Sequence, residues 1–379
     1  MIIGFDGKRA VENNTGLGNY SRLLIEELSE AYPDNRYLIY APRYHYNPRM
    51  LKLMRRLNVD MKVPLDAGGA LSRSMWRSRG ITKSLIADKI DLFHGLSGEL
   101  PLNIRELRKP SVLTVHDLIF LRYPQYYHKI DRKLYDYKYR RSCLNATRII
   151  AISERTKADI MEFYHVPEEK IDVIYQGCHR QFLTEPTPED IDTAKAKYGI
   201  TRPYIITVGT VEARKNQMMA VRGINGLPEE IQLVIVGRRT SYADELDRYI
   251  KAYNMKDRVK FIDKVDFADL PALYAGALCS SYTSRYEGFG IPVIESLNAG
   301  CPVIVATDSC LEEAGGPATP AVPPDDISEW MSTVKEFIDY PASRRSVVRQ
   351  GREYVKRFAG ENFARNIMET YQRAIDDFR

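Results

Sequence analysis

Hydrophobic residues occur along the chain as short β-branched runs that alternate with longer segments of helical periodicity. In the first half these runs predict strands at Ile2–Phe5, Tyr37–Tyr40, Leu92–His94, Val112–Val115, Arg148–Ile152 and Ile171–Ile174. In the second half they predict strands at Tyr204–Val208, Gln232–Val236, Val259–Ile262, Ala277–Ser281 and Pro302–Val305. Strands that alternate with helices build parallel sheets covered by helices, so the pattern predicts an α/β fold.

The length of 379 residues predicts two domains, because a single hydrophobic core usually serves a shorter chain. A proline- and acid-rich segment without strand pattern, about Gln181 to Pro203, is predicted to be an interdomain hinge. Beyond Asp325 the pattern is only helical, with helices predicted at Ile327–Asp339, Ser343–Phe358 and Glu361–Phe378. We therefore predict domains at 1–185 and 200–355, and a C-terminal helix, 356–379, that packs back on the first domain.

Composition and the N-terminal segment favour a soluble or peripheral cytoplasmic protein. Hydrophobic residues make up 44% and charged residues 28% of the sequence, and no apolar run approaches the roughly 20 residues of a membrane span. Met1–Phe5 leads directly into a predicted strand and lacks the regions of a signal peptide. The five cysteines are odd in number and scattered, which indicates reduced thiols and no structural metal.

The net charge of +5 is concentrated in the segment Arg43–Lys83, where ten basic residues are accompanied only by the acids Asp60 and Asp66. Apolar residues interleave with the basic ones, so the segment could form a basic amphipathic surface. Two interpretations stay open. The segment is either a solvated helical face or a peripheral contact with anionic lipid headgroups or a phosphorylated acceptor.

The strongest motif spans Ser284–Gly300, between a predicted strand and a predicted helix. Glu287 lies in the loop and Glu295 in the helix, while Gly288 and Gly290 allow backbone N–H groups to approach a ligand at the positive end of the helix. Such a site suits phosphate or sugar hydroxyls, and hydroxyls would satisfy the two carboxylates. The alternative is an ordinary strand–turn–helix with glutamates that point to solvent.

A second motif, Val208–Asn216, also leads from a strand towards a helix. Arg214 and Lys215 stand at the predicted helix start, where cations oppose the helix dipole unless an anion is shared between them and the free amides. A diphosphate would meet that condition, although an exposed basic pair is the alternative. Gly209 lies in this motif, and Gly237 follows the next strand, where it is predicted to line a nucleotide pocket.

Gly16 and Gly18 form a third motif, between the first strand and a helix that runs to about Ala31. The third glycine of a dinucleotide fingerprint is missing, and no acid ends the second strand, so a nicotinamide enzyme is disfavoured. The glycines are either part of a ligand site or a plain tight turn.

Histidines mark the ends of two predicted strands, with His94 at the end of one and His116 directly after the other. Ligands of open α/β sheets collect at the carboxyl ends of strands, so both histidines are candidates for a substrate site, although a lone histidine is commonly structural. Asp117 could orient His116 or meet an acceptor.

The sequence Glu-Gly-Phe-Gly-x-Pro-x-x-Glu at 287–295 resembles the retaining glycosyltransferases of family 4, which have the GT-B fold. This resemblance implies two Rossmann-like domains whose parallel sheets face each other across a deep cleft, with the acceptor bound by the first domain and the nucleotide sugar by the second. The segment His116–Tyr127 looks like the mannosyltransferase-like branch of the family, and Thr307–Pro317 extends the match. Ala213 departs from the proline that usually precedes the arginine.

The resemblance also implies roles for the motif residues. Glu287 would hold hydroxyls of the transferred sugar, Glu295 would hold the ribose, and the Arg214–Lys215 pair would bind the diphosphate. The implied catalytic residues are His116, Arg214, Lys215 and Glu287. The implied donor-binding residues are Gly16, Gly18, Gly209, Gly237, Gly288, Phe289, Gly290 and Glu295. The acceptor or cleft candidates are His94 and Asp117.

By the same resemblance, the expected reaction moves a hexose from a nucleotide diphosphate to a hydroxyl of a saccharide or lipid-linked saccharide in surface polysaccharide synthesis. GDP-mannose is the favoured donor, and UDP-glucose-type donors stay open. The one Asp-x-Asp spacing, Asp190–Asp192, falls in the predicted hinge. We therefore expect no metal and no cofactor besides the nucleotide-sugar co-substrate.

Two alternative functions compete with this interpretation. A nucleotide-sugar 2-epimerase of the same fold would act on the donor alone. A basic membrane- or nucleic-acid-binding protein would rely on Arg43–Lys83, but aromatic stacking motifs are absent and the net charge is small, so we expect no nucleic-acid partner.

Overall fold

The computed structural model describes residues 1–64 and 68–378, and the chain divides into two compact units. Unit 1 takes in Met1–Gln176 and the segment that begins at Ala359, and unit 2 takes in Gly177–Phe358. The corresponding limits predicted from the sequence are 185 and 355. Asp66 and Arg379, which belong to segments named above, lie outside the described residues.

Unit 1 contains a seven-stranded parallel sheet in the order β3-β2-β1-β4-β5-β6-β7, numbered along the chain. Its strands are β1 Ile2–Asp6, β2 Arg36–Tyr40, β3 Val59–Lys62, β4 Leu92–Gly95, β5 Ser111–Val115, β6 Arg148–Ala151 and β7 Ile171–Val173. In the register of the central strands, Phe5 is opposite Ile39 on β2 and His94 on β4. The hydrophobic pattern misses β3, because this edge strand includes Asp60 and Lys62 and lacks an apolar run.

Helices flank this sheet along the N-terminal part of the chain. They are α1 Lys8–Glu12, α2 Gly16–Ala31, α3 Leu51–Met54, α4 Ala70–Met75, α5 Ile81–Ala87, α6 Ile119–Arg122, α7 Lys129–Asn145 and α8 Glu154–Tyr164. A π-helical segment, Trp76–Gly80, joins α4 to α5, and 3₁₀ turns occur at Pro48–Met50, Ile104–Leu107, Pro124–Tyr126 and Glu168–Lys170. The core between helices and sheet includes buried side chains such as Phe93, Leu113 and Ile149.

Unit 2 contains a six-stranded parallel sheet in the order β10-β9-β8-β11-β12-β13. Its strands are β8 Tyr204–Val208, β9 Gln232–Val236, β10 Val259–Ile262, β11 Cys279–Tyr282, β12 Val303–Ala306 and β13 Ala321–Val322. Both sheets are parallel and flanked by helices, so the structure confirms the predicted α/β class.

The helices of unit 2 are α9 Pro188–Lys197, α10 Gln217–Ile224, α11 Ala243–Ala252, α12 Leu270–Ala275, α13 Ile291–Asn298, α14 Cys310–Gly315, α15 Ile327–Asp339 and α16 Pro341–Val355. Further 3₁₀ turns occur at Arg180–Leu183, Ala213–Lys215, Phe267–Asp269 and Lys356–Phe358. Trp330 on α15 is fully buried in the core of this unit, and its indole N–H donates to Ser281 Oγ at 3.0 Å.

The predicted hinge at Gln181–Pro203 is wrong, because α9 lies within this segment and the segment belongs to unit 2. Thr187 and Asp190 form a capping box, in which each side chain accepts a hydrogen bond from the backbone N–H of the other residue. The proline and acids that suggested a linker are therefore the N-terminal signals of a helix. Asp190–Asp192 lies in this helix and not in a loop.

The last helix, α17 Gly360–Phe378, belongs to unit 1 and contacts α2, β5 and β6. Phe363, Ile367, Tyr371 and Ala374 recur at helical spacing and are buried there. The C-terminal helix thus contributes to the core of the unit that the N-terminal strand begins.

The basic segment Arg43–Lys83 does not form one amphipathic helix. Its described residues are divided among a 3₁₀ turn, α3, β3, α4, the π-helical segment and part of α5. Acidic partners neutralise basic residues along the segment, including Arg43, Lys52, Arg56, Lys62 and Arg77. The basic amphipathic surface that the sequence allowed is therefore divided among several elements, and ion pairs neutralise part of its charge.

No helix among the described residues has the length and apolar character needed to cross a bilayer. The five cysteines are free thiols, and all except the partly exposed Cys178 are buried.

Candidate active site

The carboxyl ends of β8 and β11 bring the two strongest sequence motifs together in unit 2. These strands are direct neighbours in the parallel sheet, with Ile206 opposite Ser280. The turn Ala213–Lys215 follows β8, and the loop that contains Glu287 follows β11 before α13 begins. Because carboxyl ends of parallel strands share one edge of the sheet, the two loops meet there.

Glu287 is held between the two cations that follow β8. Arg214 Nη1 lies 2.7 Å from Glu287 Oε2, and Lys215 Nζ lies 2.5 Å from Oε1. Glu212 adds a second acid, 2.6 Å from Arg214 Nη2. We call Glu212, Arg214, Lys215 and Glu287 the unit 2 quartet. The structure thus brings three of the four predicted catalytic residues into direct contact.

The charges of this quartet depend on one another. Burial alone would raise the pKa of Glu287, but Lys215 and Arg214 outweigh burial and lower the pKa to about 2. Burial lowers the pKa of the Lys215 ammonium, against the pull of Glu287. An additional anion beside Lys215 would raise that pKa again, because a nearby opposite charge favours the charged form. The site is thus suited to receive negative charge.

Backbone contacts fix the position of Arg214 independently of Glu287. The N–H of Arg285 donates to the carbonyl oxygen of Arg214 at 2.9 Å, and Arg214 Nη1 donates to the carbonyl oxygen of Tyr286 at 2.8 Å. Asn216, in a left-handed conformation with φ of 56°, ends the turn and donates through Nδ2 to the carbonyl oxygen of Thr283. The two loops are therefore joined without the help of a ligand.

Tyr282, the last residue of β11, is a member of the site that the sequence motifs do not include. Its hydroxyl accepts from Lys215 Nζ at 2.5 Å and donates to Glu287 Oε1 at 3.2 Å. The side chain is buried, so it orients both charged groups from the interior of the unit. The available signal was a tyrosine at the carboxyl end of a strand.

Cys310 was also missed, and it supports the loop that carries Glu287. At the start of α14, its Sγ lies 3.1 and 3.0 Å from the carbonyl oxygens of Glu287 and Phe289, which share its single S–H donor. Phe289 is itself buried and packs edge-to-face against Phe358, so a ligand would meet its backbone and not its ring. No local pattern singles out this cysteine, because its partners are distant in sequence.

The predicted donor-binding glycines of unit 2 lie where backbones approach closely. A Cβ on Gly237 would lie 2.1 Å from the carbonyl oxygen of Gly209, so this position requires glycine. Gly209 is beside Lys215, whose Cε would be 3.8 Å from an added Cβ. Gly290 precedes α13 with φ of 135°, a conformation that side chains rarely adopt. Gly288 lies between Glu287 and Phe289 in the same loop.

Glu295 lies on α13 and differs from Glu287 in its electrostatics. Burial raises the pKa of its carboxyl to about 7, although part of the side chain is exposed. Among the described residues no cation pairs with this carboxyl and no side chain donates a hydrogen bond to it. A carboxyl in this position gains from a ligand hydroxyl, because the hydroxyl would supply the missing hydrogen bond.

The two predicted glycines of unit 1 have different constraints. A Cβ on Gly18 would lie 1.8 Å from the carbonyl oxygen of Asn13, so Gly18 is required by the turn. Gly16, the first residue of α2, has open space around its missing side chain. The Asn13 side chain holds the turn by accepting from the N–H groups of Thr15 and Gly18. Gly16 is therefore the member of the pair that a ligand can approach.

His116 follows β5 and is largely buried. Its Nε2 donates to the carbonyl oxygen of Leu96 at 2.9 Å, and its ring contacts the Tyr20 ring edge-to-face. Burial lowers the pKa of His116 to about 4, so the imidazole is neutral at neutral pH. Asp117 accepts through Oδ1 from the N–H of Ile119 at 3.2 Å, which places it at the start of α6.

The structure contradicts the prediction that His94 lines the acceptor site or cleft. Its side chain is fully buried in unit 1, with Nδ1 2.7 Å from the Tyr371 hydroxyl and Nε2 2.8 Å from Thr114 Oγ1. Burial lowers its pKa to about 3. Both ring nitrogens are occupied within the core, so this histidine joins β4 to α17 and does not line a substrate site. Tyr371 lies far from His94 in the sequence, so no local pattern predicts the contact between them.

A second group of paired charges lies at the carboxyl edge of the unit 1 sheet and was also missed. Asp6 ends β1, and Arg77 from the π-helical segment contacts it through Nη2 at 2.5 Å. Arg77 Nη1 contacts Glu99 at 2.9 Å, and Lys138 on α7 contacts the same carboxylate at 3.3 Å. We call these four residues the unit 1 quartet. They line a cavity of about 150 Å³ together with apolar side chains such as Phe93.

No group of three or more histidine, cysteine or acidic side chains placed to hold a metal ion occurs within residues 1–64 and 68–378.

Two family models match the chain, one in each unit. The model of glycosyltransferase family 4 matches residues 15–182, and the model of the glycosyl transferases of group 1 matches residues 190–354. The first match includes the turn of Gly16 and Gly18, and the second includes the unit 2 quartet and Glu295.

Two curated relatives of the chain are also glycosyltransferases. The chain is 25% identical over 286 residues to O-antigen chain mannosyltransferase B of Escherichia coli, a match that covers 74% of each chain. It is 28% identical over 257 residues to the O-antigen chain mannosyltransferase RfbU of Salmonella typhimurium, with 68% of this chain and 67% of the relative covered.

Solved structures share the fold. HepE of Anabaena, in complex with UDP and glucose, matches with a TM-score of 0.78 and 19% identity over 98% of this chain and 100% of its own. Sucrose-phosphate synthase of Thermosynechococcus elongatus matches with a TM-score of 0.77 and 20% identity over 98% of each chain. A glycosyltransferase model matches each unit, and mannosyltransferases are among the relatives of the chain. This chain therefore belongs to the family 4 glycosyltransferases, and it is a hexosyltransferase with the GT-B fold that is similar to their mannosyltransferase-like branch.

Proposed function

We propose that the protein transfers a hexose, with retention of configuration, from a nucleotide diphosphate to a hydroxyl of a saccharide or lipid-linked saccharide in surface polysaccharide synthesis. The observation that carries this proposal is the unit 2 quartet, in which two cations at a sheet edge share one carboxylate. The names of two relatives, both O-antigen chain mannosyltransferases, support the substrate class.

Arg214 and Lys215 would bind the diphosphate and stabilise the charge that develops as it leaves. Both cations are already in place, because backbone contacts to Arg285 and Tyr286 hold Arg214 and the Tyr282 hydroxyl holds Lys215. Groups fixed before the reaction stabilise a developing charge without the cost of reorganisation. In this proposal the protein cations take the role that a metal ion has in many phosphate-transferring enzymes, so no metal and no further cofactor is required.

Glu287 and Glu295 would bind hydroxyls instead of exchanging protons. The pKa of Glu287 is about 2, so this carboxylate is ionised at neutral pH and accepts hydrogen bonds from sugar hydroxyls. Glu295 would accept from the ribose hydroxyls, which would satisfy a carboxyl that lacks a partner among the described residues. The backbone N–H groups of Gly288, Phe289 and Gly290 would face the sugar and phosphate at the start of α13.

The acceptor hydroxyl would be deprotonated by the departing diphosphate itself. The unit 2 quartet offers no free carboxylate for nucleophilic attack, because Arg214 and Lys215 hold Glu287 and Arg214 holds Glu212. Retaining glycosidases place a second carboxylate for that purpose. His116 would contribute a neutral imidazole hydrogen bond to the donor sugar, in keeping with its lowered pKa.

GDP-mannose is our proposed donor, and a UDP-hexose is the alternative. The mannosyltransferases among the relatives favour GDP-mannose, while the structural likeness to HepE in complex with UDP and glucose supports a UDP-hexose as the alternative. Thermal-shift measurements with GDP-mannose, UDP-glucose, ADP-glucose and dTDP-glucose would separate them. We expect the largest stabilisation with GDP-mannose, and stabilisation by none of the four would contradict the proposed function.

Incubation of the protein with the nucleotide-sugar donor alone tests the reaction class. A transferase should release nucleoside diphosphate only slowly when no acceptor is present. Conversion of the donor to an isomeric nucleotide sugar under these conditions would favour a nucleotide-sugar 2-epimerase instead. The Glu287→Gln variant is the matched control, because it keeps the size of the side chain and removes the charge that pairs with Arg214 and Lys215.

A further inference from the structure

Helix α7 of unit 1 has apolar side chains on two opposite faces. One face packs into the unit, where Tyr135 and Tyr139 contact Phe120 and Cys143 is fully buried. The opposite face exposes four side chains, with exposed fractions of 82, 49, 57 and 54% for Ile130, Leu134, Tyr137 and Leu144. At about 100° per residue, spacings of four, three and seven residues align these side chains in one stripe.

Basic side chains surround the exposed stripe. The helix contains six basic and two acidic residues, and a surface groove beside it is lined by four arginines, Arg79, Arg105, Arg140 and Arg141. Tyr137 and Leu144 of the stripe line the same groove, and Glu106 is the one acid among its lining residues. Cations and apolar side chains thus face solvent together on one surface.

Several of these cations lack an acidic partner. Within the described parts of the chain, no carboxylate lies at ion-pair distance from Arg79, Arg105, Lys133 or Arg141. Arg141 donates to the carbonyl oxygen of Leu102. The basic segment Arg43–Lys83 differs in this respect, because acids neutralise many of its cations, and Arg79 is the member of that segment that lines the groove. Cations without an acidic partner therefore lie beside the exposed apolar stripe of α7.

We propose that α7 and the adjoining groove form a peripheral binding surface for an anionic lipid bilayer. The lipid-contact surface consists of Ile130, Leu134, Tyr137 and Leu144 with Arg79, Arg105, Lys133 and Arg141. Anionic headgroups match the unpaired cations, and the region beneath the headgroups accepts an aligned row of apolar side chains. This inference goes beyond the proposed function, since it concerns where the enzyme is held and does not depend on which sugar is transferred.

Co-sedimentation of the full chain with vesicles tests this surface. We expect binding to vesicles of equal parts phosphatidylcholine and phosphatidylglycerol, and little binding to vesicles of phosphatidylcholine alone. Added salt should weaken the binding, because charges at an exposed surface are screened. Equal binding to both vesicle types, or no binding to either, would overturn the proposal.

Paired substitutions locate the contact. Arg105→Gln with Lys133→Gln should lower the partition coefficient by about 25-fold, since each basic residue contributes about fivefold. Ile130→Ser with Leu134→Ser should lower it by about tenfold through lost apolar contact. All four side chains are exposed, so the fold should persist, and unchanged thermal unfolding of the variants would verify this.

Matched controls change the same chemistry elsewhere. Arg345→Gln with Arg349→Gln removes two exposed charges from the basic surface of α16 in unit 2. Leu57→Ser with Leu71→Ser removes two exposed apolar side chains from the segment Arg43–Lys83. Neither pair should alter vesicle binding. A larger loss in either control than in the α7 variants would assign the contact to that region and refute the inference.

Self-association is the remaining outcome to distinguish. If the stripe on α7 were an interface between two copies of this chain, sedimentation velocity without vesicles would show a dimer that Ile130→Ser with Leu134→Ser dissociates. That result, together with vesicle binding unaffected by the same pair, would overturn the proposal.

Discussion

Each unit carries a quartet of two acids and two cations at the carboxyl edge of its parallel sheet, connected in the same order of acid, arginine, acid and lysine, but the closest contacts lie at different places in the two quartets. In unit 1 the arginine is the most tightly held member. Arg77 uses Nε and Nη2 on Asp6 and Nη1 on Glu99, so each of its three nitrogens is bonded. Lys138 then contacts Glu99 from outside.

In unit 2 the lysine makes the closer contact, because Lys215 Nζ lies 2.5 Å from Glu287 whereas Lys138 Nζ lies 3.3 Å from Glu99. Glu287 accepts from Arg214 and Lys215 through its two oxygens. A phosphate offers oxygens of the same kind, so it can share or replace the carboxylate between these cations. An incoming anion at the unit 1 quartet would instead have to displace the two-nitrogen contact of Arg77 with Asp6, a carboxylate that is almost fully buried. Ligand binding is therefore expected at the unit 2 quartet and structural stabilisation at the unit 1 quartet.

The largest expected effect is on turnover in unit 2. Lys215→Met should lower kcat by about 100- to 1000-fold, because it removes one group that stabilises the developing charge of the leaving diphosphate. Steady-state kinetics at saturating donor measures the change. Lys138→Met, the matched change in the unit 1 quartet, should leave kcat within about twofold. Comparable losses in both variants would remove the functional distinction between the quartets.

The corresponding effect in unit 1 is on stability. Arg77→Met should lower the free energy of unfolding by about 3 kcal/mol, because it leaves Asp6 buried without its cation. Chemical denaturation of the wild type and the variant measures the difference. The thermal shift caused by nucleotide sugar should be retained. Loss of that shift in a variant that remains folded would show that the unit 1 quartet takes part in donor binding.

The raised pKa of Glu295 predicts that the free energy of unfolding depends on pH, a dependence that the unit 2 quartet does not share. Its folded-state pKa of about 7 lies above the ordinary value of 4.5, so the folded protein holds this proton more tightly than the unfolded chain. Stability from this group is therefore present below about pH 4.5 and is lost as pH rises through about 7, by on the order of 2 kcal/mol. The difference in unfolding free energy between wild type and Glu295→Gln, followed across this range, measures it.

Donor binding should change in the opposite direction over the same range. An ionised Glu295 accepts hydrogen bonds from ribose hydroxyls better than a protonated one, so donor affinity should rise as pH increases through about 7. Calorimetric titration of the wild type should show this rise, and Glu295→Gln should give a weaker and flatter profile. A wild-type affinity independent of pH would argue against contact between Glu295 and the donor.

The smallest expected effect concerns Cys310. Cys310→Ser keeps a donor for the carbonyl oxygens of Glu287 and Phe289 and should change activity by less than about threefold. Cys310→Ala removes that donor and should raise the KM for the nucleotide sugar more than it lowers kcat, because the loop loses its anchor while Lys215 stays in place. Equal behaviour of the two variants would indicate that the thiol contributes only packing.

Much of the fold followed from the sequence because the relevant signals are local. Strand segments such as Tyr204–Val208 and Gln232–Val236 are largely apolar, as expected for strands buried on both faces, and the structure confirms both. The segment 181–203 was misinterpreted because helix-starting residues and linker residues have the same composition. Only the capping geometry of Thr187 and Asp190 distinguishes the two.

The candidate site likewise divides into features that the sequence indicated and features that only the tertiary structure shows. The sequence by itself determined which residues follow the strands of unit 2, and it indicated Arg214, Lys215 and Glu287 as ligand-binding candidates. Only the tertiary structure decided that Glu287 sits between the two cations, that His94 is enclosed by α17, and that Arg77 meets Asp6. Each of these contacts joins residues far apart in the chain, so packing and burial, which no local pattern encodes, determine both the partners and the resulting charge.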